Sequence, residues 1–251
     1  MITDADRASF DDYGNVSRAL EPYTRAASTG VAEEAFRTLF YPHARIVGDS
    51  GDLTLNEFID RVNRGGGAAT ALTVAVDITG PAASVKLEFQ NRKGSRVTDF
   101  LLLYKMGDRW RVSGKVYGKK SIWDDVFQDK FADHAALDAA IQVFVEGAKL
   151  GDGDFLRTAF NQNAHTIGSI DGDYHDHDLD DFNIAVNDAG PAPDIRHHVA
   201  SIDIAGDAAL AKVELLDWRG CRFTDYFLFY KQTNGHWQIS ASVYSAHSRD
   251  T

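Results

Sequence analysis

The sequence predicts an α+β protein in which two domains of the same architecture follow one another along the chain. The first observation is a repeat, because the segment 98–105 (TDFLLLYK) returns almost intact as 224–231 (TDYFLFYK). The second is a change of hydrophobic period in each copy, from helical spacing to four strand-like runs. The third is length, since 251 residues accommodate two domains that can each bury a core. A long unit that occurs twice indicates a duplicated domain, not a solenoid.

The repeat extends well beyond these two segments and sets the predicted boundaries. Further matching pairs are Asp77 and Asp203, Lys86 and Lys212, Glu88 and Glu214, Trp110 and Trp237, and Tyr117 and Tyr244. We predict a lead-in over 1–14, a first domain over 15–120, a linker helix over 121–133 and a second domain over 134–251. Trp123, Phe127 and Phe131 recur every four residues and would form one aromatic stripe on the linker helix. A plain extension of the second domain is the alternative.

Each copy is predicted to begin with two helices, a strand and a third helix. In the first copy the helices cover 16–27, 31–40 and the segment from Thr54 to Val62, where Thr54 and Glu57 form a capping-box pattern. In the second copy they cover 135–149, 154–160 and a segment capped by Asp178. Four strands separated by turns then close each copy. They cover 72–78, 84–91, 96–105 and 110–117, and begin near His197, Leu210, Arg222 and His236.

Composition excludes several classes of partner. The chain has 26 Lys plus Arg against 37 Asp plus Glu, a formal net charge of -11, which argues against nucleic acid or an anionic membrane as the main partner. Cys221 is the single cysteine, so no intramolecular disulfide can form, and a reducing compartment is the simplest setting. No signal-peptide pattern and no membrane-spanning apolar run is present. A cytoplasmic location is therefore expected.

The repeated strand is apolar on both faces, so both faces must be covered. We predict that Phe100, Leu102 and Tyr104, with Thr98, face the helices, and that Asp99, Leu101 and Leu103 face the other domain. Tyr226, Leu228 and Tyr230 correspond to the first set, and Asp225, Phe227 and Phe229 to the second. The two sheets would then pack as an intramolecular pseudo-dimer. The interface between the two sheets is called the joint. Its predicted charged residues either pair across it or lie at a solvated edge, and they are Lys86, Glu88, Lys212 and Glu214.

The order of elements resembles the cone-shaped α+β fold of the nuclear transport factor 2-like superfamily. The segment 40–44 (FYPHA), the Thr-Asp-(Phe/Tyr) strand and the ending from Trp110 to Tyr117 are most similar to the lumazine-binding branch, close to the SnoaL-like and ketosteroid-isomerase-like groups. The resemblance covers nearly the whole chain, twice. It implies cone-shaped domains with an internal pocket, but the superfamily contains isomerases, dehydratases, cyclases, hydrolases and non-catalytic domains.

The ketosteroid-isomerase-like resemblance also implies positions for catalytic groups. The tyrosine of the first helix falls on Tyr23, but on Phe144 in the second copy. The aspartate base falls on Gly48 and Gly168, and the protonated acid of the oxyanion hole falls on Leu102 and Leu228. That proton-shuttle mechanism is therefore not expected in either copy. Asp99 and Asp225 are interpreted as structural residues.

The remaining polar residues suggest one pocket in each domain. In the first, Tyr23, Lys115 and Tyr117 are catalytic candidates, although Lys115 could instead reach solvent at the mouth of the cone. Predicted ligand-binding residues are Phe100, Leu102 and Tyr104 in the first pocket, and Tyr226, Tyr230 and Tyr244 in the second. Ser242 replaces the lysine there, so the two pockets have diverged.

The segment 171–178 (DGDYHDHD) is the most unusual local feature. His165 and His175 are catalytic candidates. His175 and His177 would face the same way on an extended chain and could bind zinc, with His165, His197 or His198 as a third ligand. No complete ligand set is readable, so no metal site is predicted, and a solvated acidic turn is the simpler interpretation.

The sequence thus predicts a small-molecule-binding protein that needs no cofactor. If it is an enzyme, lyase, isomerase or cyclase chemistry on an apolar or cyclic metabolite is expected. A non-catalytic ligand-binding or assembly module is the alternative, and a metal-dependent hydrolase using the histidine-rich turn is a second one. A monomeric pseudo-dimer or a homodimer would fit this organisation.

Overall fold

The computed structural model of the protein describes residues 4–65, 70–90, 95–120 and 130–247. Each domain begins with helices that cover one face of its sheet. In the first domain these are α1 (Asp4–Thr29), α2 (Glu33–Leu39) and α3 (Leu55–Gly65); in the second they are α4 (Lys130–Leu150), α5 (Gly153–Arg157) and α6 (Leu179–Ala189). The predicted caps are confirmed. The Glu57 carboxylate accepts from the Thr54 amide at 2.8 Å, and Asp178 accepts from the amides of Asp180 and Asp181.

Each domain contains a six-stranded sheet of the same topology. The first comprises β1 (Phe40–Gly48), β2 (Gly51–Leu53), β3 (Thr70–Thr79), β4 (Ala82–Gln90), β5 (Arg96–Met106) and β6 (Arg109–Lys120). The second comprises β7 (Phe160–Ile170), β8 (Asp173–Asp178), β9 (Arg196–Ala205), β10 (Ala208–Trp218), β11 (Cys221–Lys231) and β12 (Trp237–His247). The strand orders are β2-β1-β6-β5-β4-β3 and β8-β7-β12-β11-β10-β9. Only the β1–β6 and β7–β12 pairs of these sheets are parallel, which confirms two tandem α+β domains.

Helix α1 begins at Asp4, inside the predicted lead-in, and continues into the first domain. Asp12 lies on this helix and is buried. Its carboxylate accepts from Lys105 Nζ at 2.7 Å and from the Trp110 indole at 3.3 Å. These contacts fix the first part of α1 to β5 and β6.

Asp133 makes the same anchor in the second domain. It accepts from Lys231 Nζ at 2.7 Å and from the Trp237 indole at 3.0 Å. Residues 121–129 of the predicted linker helix, with Trp123 and Phe127, lie outside the described residues. Phe131 is 90% exposed at the start of α4, so it does not pack between the domains.

The prediction of strand faces is inverted. Lys86 Nζ lies 2.6 Å from Asp203 Oδ2, and the equivalent Lys212 Nζ lies 2.9 Å from Asp77 Oδ2, so both lysines face the other domain. Phe100 is the cross-strand partner of Lys86 and therefore shares its face. The joint thus contains the even-numbered side chains of β5 and β11, and the odd-numbered ones face the helices.

Close approach of the two sheets depends on a position without a side chain. A Cβ atom on Gly118 would lie 1.7 Å from the Ala205 carbonyl oxygen, so only glycine fits there. Tyr226 adds a polar contact, because its hydroxyl lies 2.9 Å from both Asp77 and Thr79 of the first domain.

Among the described helices, none has the length and apolar character needed to cross a bilayer.

Candidate ligand-binding pockets

The first domain contains a cavity of about 350 Å³ between α1, α3 and the sheet. Its polar centre is a group of buried side chains, Tyr23, Asp99 and Lys115. The Tyr23 hydroxyl donates to Asp99 Oδ2 at 2.5 Å, and Lys115 Nζ lies 3.0 Å from the same oxygen. The predicted candidates Tyr23, Lys115 and Tyr117 therefore do line one pocket, and Asp99 joins them there.

Burial shapes the electrostatics of this group. Lys115 is buried, so it does not reach solvent at the mouth of the domain. Burial lowers its pKa, while the Asp99 charge acts in the opposite direction. Burial, followed by the Asp99 charge, raises the pKa of Tyr23 well above its usual range. Lys115 Nζ also lies 4.6 Å from the centre of the Phe58 ring and 4.8 Å from that of Tyr117, within cation–π range. The side chains of Tyr23, Asp99 and Lys115 thus interact with one another at the centre of this pocket.

The second domain contains a larger cavity of about 500 Å³ at the equivalent place. Its walls are mostly apolar and aromatic, and they come from α4, α6 and the sheet. The larger side chains of the wall are Phe144, Phe182, Trp218, Phe223 and Tyr244. Volume and lining are typical of sites for small organic molecules.

Asp225 is a buried acid in the lining of the cavity of the second domain. Its cross-strand neighbour is Tyr244, just as Asp99 is the neighbour of Tyr117. Asp225 Oδ2 is shielded from solvent, and no described residue makes a hydrogen bond to it. Burial, with a contribution from the charge of Glu214, raises the pKa of Asp225 well above its usual value. Burial thus favours the neutral form of this carboxyl group, in which it is a hydrogen-bond donor.

Asp99 has hydrogen-bond and ion-pair partners that Asp225 lacks, because the residues at the partner positions differ between the two domains. Phe144 stands where the first domain has Tyr23, and Ser242 stands where it has Lys115. Ser242 lies opposite Phe227 on β11, as Lys115 lies opposite Leu101 on β5, so the two positions match in register. The second domain thus retains the acid and lacks both the hydroxyl donor and the cation that Asp99 has in the first domain.

Steric contact with a tyrosine ring explains why glycine lies near the ends of β1 and β7. A Cβ atom on Gly48 would lie 2.2 Å from the Tyr117 ring, and one on Gly168 would lie 2.2 Å from the Tyr244 ring. Each tyrosine ring therefore occupies the space above its glycine. The resemblance placed a catalytic base at these positions, and the structure leaves no room for one.

Five of the predicted ligand-binding residues do not line either pocket. Phe100, Leu102, Tyr104, Tyr226 and Tyr230 lie on the faces that meet at the joint. Leu102 belongs to a buried cluster that includes Leu228, the Tyr104 ring lies 5.7 Å from that of Tyr174, and Tyr226 contacts Asp77. Their assignment to the pockets is wrong. Leu102 and Leu228 face the joint. Their identity therefore does not show whether the pockets contain an acid. Tyr244 alone of the predicted set lines the cavity of the second domain.

Sequence analysis missed Asp99 and Asp225 as pocket residues. Each is an acid within an otherwise apolar strand, and it recurs in both copies of the repeat. That pattern is the available signal, because a buried carboxyl group needs a partner or a function.

The histidine-rich segment is a strand, β8, and not a turn. His175 and His177 line the cavity of the second domain, with ring centres 5.4 Å apart. His165 and Asp176 lie on the opposite face, at the joint, where they approach His43 of the first domain. The structure therefore separates the catalytic candidates His165 and His175. Among the described residues, the group of side chains whose possible ligand atoms converge within 4.8 Å of one another does not include His175 or His177.

Several solved structures are similar to about half of this chain. No curated protein matches the chain. Among solved structures, an NTF2-like protein of unknown function from Silicibacter pomeroyi DSS-3 is 29% identical, covering 48% of this chain and all 100% of its own, with a TM-score of 0.45. A similar protein from Shewanella baltica OS155 is 27% identical over 48% of this chain and 98% of its own, with a TM-score of 0.45.

A third NTF2-like protein of unknown function, from Methylobacillus flagellatus KT, is 28% identical, covering 47% of this chain and 94% of its own, with a TM-score of 0.44. The profile of the family described as "Putative lumazine-binding" matches residues 11–118 and again residues 132–245. These two matches cover most of the chain, one in each domain. The chain therefore belongs to this lumazine-binding family and contains two tandem copies of its domain.

Proposed function

We propose that the second domain binds a small, flat and mostly apolar molecule that carries a carbonyl group or another hydrogen-bond acceptor. The observation that carries this proposal is Asp225, which lines a cavity of about 500 Å³ and whose buried Oδ2 has no hydrogen bond to a described residue. An unsatisfied buried polar atom costs about 1–3 kcal/mol of stability. A ligand acceptor at hydrogen-bond distance would offset that cost.

The walls of the cavity fit a flat ring system. Phe144, Phe182 and Trp218 supply apolar ring surface, and Ser242 and Tyr244 add hydroxyl groups beside Asp225. The family description names lumazine, which is a flat bicyclic heterocycle with carbonyl groups. Such a molecule combines stacking surface with acceptors for a neutral acid. No cofactor is needed for this kind of binding.

The first domain supports binding less well. Its cavity is smaller, and Asp99 already interacts with Tyr23 and Lys115. A ligand would have to compete with these buried contacts. We therefore assign a structural role to the first pocket.

Isothermal titration calorimetry with lumazine tests the proposal. A second pair of probes, the bicyclic ketone 1-tetralone and the hydrocarbon tetralin, differs only by the carbonyl group. We expect the ketone to bind more tightly than the hydrocarbon. Asp225→Leu should weaken ketone binding roughly tenfold, as expected for one lost hydrogen bond, and should leave tetralin unaffected.

Asp225→Asn is the matched control, because its amide keeps a donor of similar size at this position. It should retain most of the affinity for the ketone. The proposal would be contradicted if neither lumazine nor 1-tetralone bound at millimolar concentration. Equal affinity of Asp225→Leu and the wild type for the ketone would reject Asp225 as the donor.

A second function is favoured by His175, whose imidazole lines the same cavity as Asp225. A neutral acid that polarises a carbonyl, together with an imidazole base, is the combination that proton transfer next to a carbonyl requires. Isomerase or lyase activity on a cyclic ketone would follow. NMR exchange of the α-protons of 1-tetralone in D₂O tests this. Exchange that depends on His175 supports catalysis, whereas tight binding without exchange supports a binding module.

A further inference from the structure

The joint between the domains contains a polar cluster that neither pocket uses. His43 lies on β1 of the first domain, and His165 and Asp176 lie on β7 and β8 of the second. His43 Nε2 lies 3.4 Å from Asp176 Oδ1, and His165 Nδ1 lies 3.5 Å from the same oxygen. All three atoms lie within 4.8 Å of one another.

These three atoms are shielded from solvent, yet none makes a hydrogen bond to a described residue. Ordinary N–H···O hydrogen bonds span about 2.7–3.2 Å, so the separations are too long. The side chains are 26%, 22% and 26% exposed for His43, His165 and Asp176. Three unsatisfied polar atoms that converge at one partly buried point indicate a missing partner.

We propose that His43, His165 and Asp176 bind a divalent transition-metal ion, of which zinc is the best representative. Two imidazole nitrogens and one carboxylate oxygen form a donor set that zinc uses, with a fourth position left for water. In a tetrahedral site with bonds of about 2.0–2.1 Å, neighbouring ligand atoms are about 3.3–3.4 Å apart. The separations of 3.4 and 3.5 Å from Asp176 Oδ1 agree with that spacing.

The surroundings of Asp176 support the same role. The Tyr174 hydroxyl donates to Asp176 Oδ2 at 3.3 Å, which leaves Oδ1 directed at the two histidines. Metal-binding carboxylates commonly have such a second hydrogen bond. The His43 and His165 rings stack with centres 4.1 Å apart and planes 15° apart. Because the lone pairs of an imidazole lie in the ring plane, metal binding requires the two rings to turn out of this stack toward a common point.

A metal here would connect the two domains, because each contributes at least one ligand. Binding to the folded chain alone would raise its stability by mass action. Hard ions such as Mg²⁺ and Ca²⁺ prefer oxygen ligands, so they should bind poorly. This site is distinct from the ligand pocket, because His175 and His177 lie on the opposite face of β8.

The experiment uses the untagged full chain after removal of metals with a chelator. Zinc is titrated by calorimetry, and Co²⁺ is titrated while its visible absorption is recorded. We expect one ion per chain, the intense visible bands of tetrahedral Co²⁺, and a higher thermal midpoint with zinc. His43→Gln and Asp176→Asn should each weaken zinc binding at least about 100-fold, and Tyr174→Phe about tenfold.

His175→Gln is the matched control and should leave zinc affinity unchanged. Circular dichroism without metal shows whether each variant folds, and His165→Gln replaces His43→Gln if the latter does not. The proposal is overturned if the wild type binds no zinc at micromolar concentration. It is also overturned if folded His43→Gln or His165→Gln binds zinc as tightly as the wild type. In either case the cluster is only a histidine–aspartate contact between domains.

Discussion

Asp99 and Asp225 occupy equivalent positions on β5 and β11, and each lines the pocket of its own domain. Asp99 accepts a hydrogen bond from Tyr23 and pairs with Lys115. In the second domain, Phe144 and Ser242 replace Tyr23 and Lys115. Asp225 Oδ2 has no hydrogen bond to a described residue. Two differences between the copies thus leave the acid of the second pocket without the donor and the cation that the first pocket supplies, and burial raises its pKa. The proposed binding site therefore lies where the two copies differ, not in the motif that they share.

The largest expected effect concerns the paired acid of the first domain. Lys115→Met leaves the buried Asp99 carboxylate without its cation, and this should lower the free energy of unfolding by about 3–5 kcal/mol. Urea unfolding followed by circular dichroism measures the change. Ser242→Ala, at the equivalent position of the second domain, is the control and should cost far less. A loss below about 1 kcal/mol for Lys115→Met would show that the pair contributes as little as a surface ion pair.

The second prediction concerns the unpaired acid. Asp225→Leu removes a buried polar atom without a partner and should raise the free energy of unfolding by about 1–3 kcal/mol. The same urea experiment applies, in the absence of ligand. A destabilised variant would indicate that Asp225 has a partner in the folded protein, and the comparison with Asp99 would then fail.

A graft of the first pocket onto the second tests the comparison from the other direction. Phe144→Tyr with Ser242→Lys supplies Asp225 with equivalents of Tyr23 and Lys115. The acid should then ionise, and affinity for 1-tetralone should fall roughly tenfold, as for loss of one hydrogen bond. Calorimetry measures the affinity, and Ser242→Ala serves as the control for loss of the hydroxyl. Unchanged affinity of the grafted variant would mean that pairing of the acid does not control binding.

The last prediction is a pH dependence. Because burial raises the pKa of Asp225 in the folded state, the folded chain binds a proton that the unfolded chain releases. The contribution of Asp225 to the free energy of unfolding should therefore fall as pH rises from about 4, the ordinary aspartate value, toward the raised folded pKa. The stability advantage of Asp225→Asn over the wild type should grow over the same range. A constant difference between pH 4 and pH 8 would rule out this titration.

Much of the fold can be predicted from the sequence. The repeated strand predicts two domains, and the spacing of apolar residues predicts most helices and strands. Lys115 and Tyr117 share a face on β6, so their common pocket is also predictable. Local signals such as the Thr54 and Glu57 cap succeed because they depend on neighbouring residues alone.

The assignment of strand faces fails for a physical reason. Both faces of β5 and β11 are apolar, so alternation does not distinguish the face under the helices from the face at the joint. Lys86 and Lys212 show which face lies at the joint, but only once their cross-strand partners, Phe100 and Tyr226, are known. With the faces inverted, Asp99 and Asp225 are moved out of the pockets, and the chemistry of the site is missed.

Contacts between the domains are the other part that sequence reasoning cannot supply. His43 lies far in sequence from His165 and Asp176, and nothing local links the three. The segment containing Asp176 is rich in acidic residues, which are uncommon in strands, so a turn is the natural prediction. Its pairing with β7 overrides that preference and directs alternate side chains to the pocket and to the joint.

The protonation state of Asp225 tests the central claim most directly. Carboxyl ¹³C NMR of the wild-type chain, with Asp225 assigned by its Asn variant, follows that group from pH 3 to pH 8. The contrast with Asp99 predicts that the Asp225 signal keeps the chemical shift of a protonated carboxylic acid at neutral pH, because burial without a partner raises its pKa. A signal that titrates near pH 4, as an ordinary aspartate does, would contradict the account.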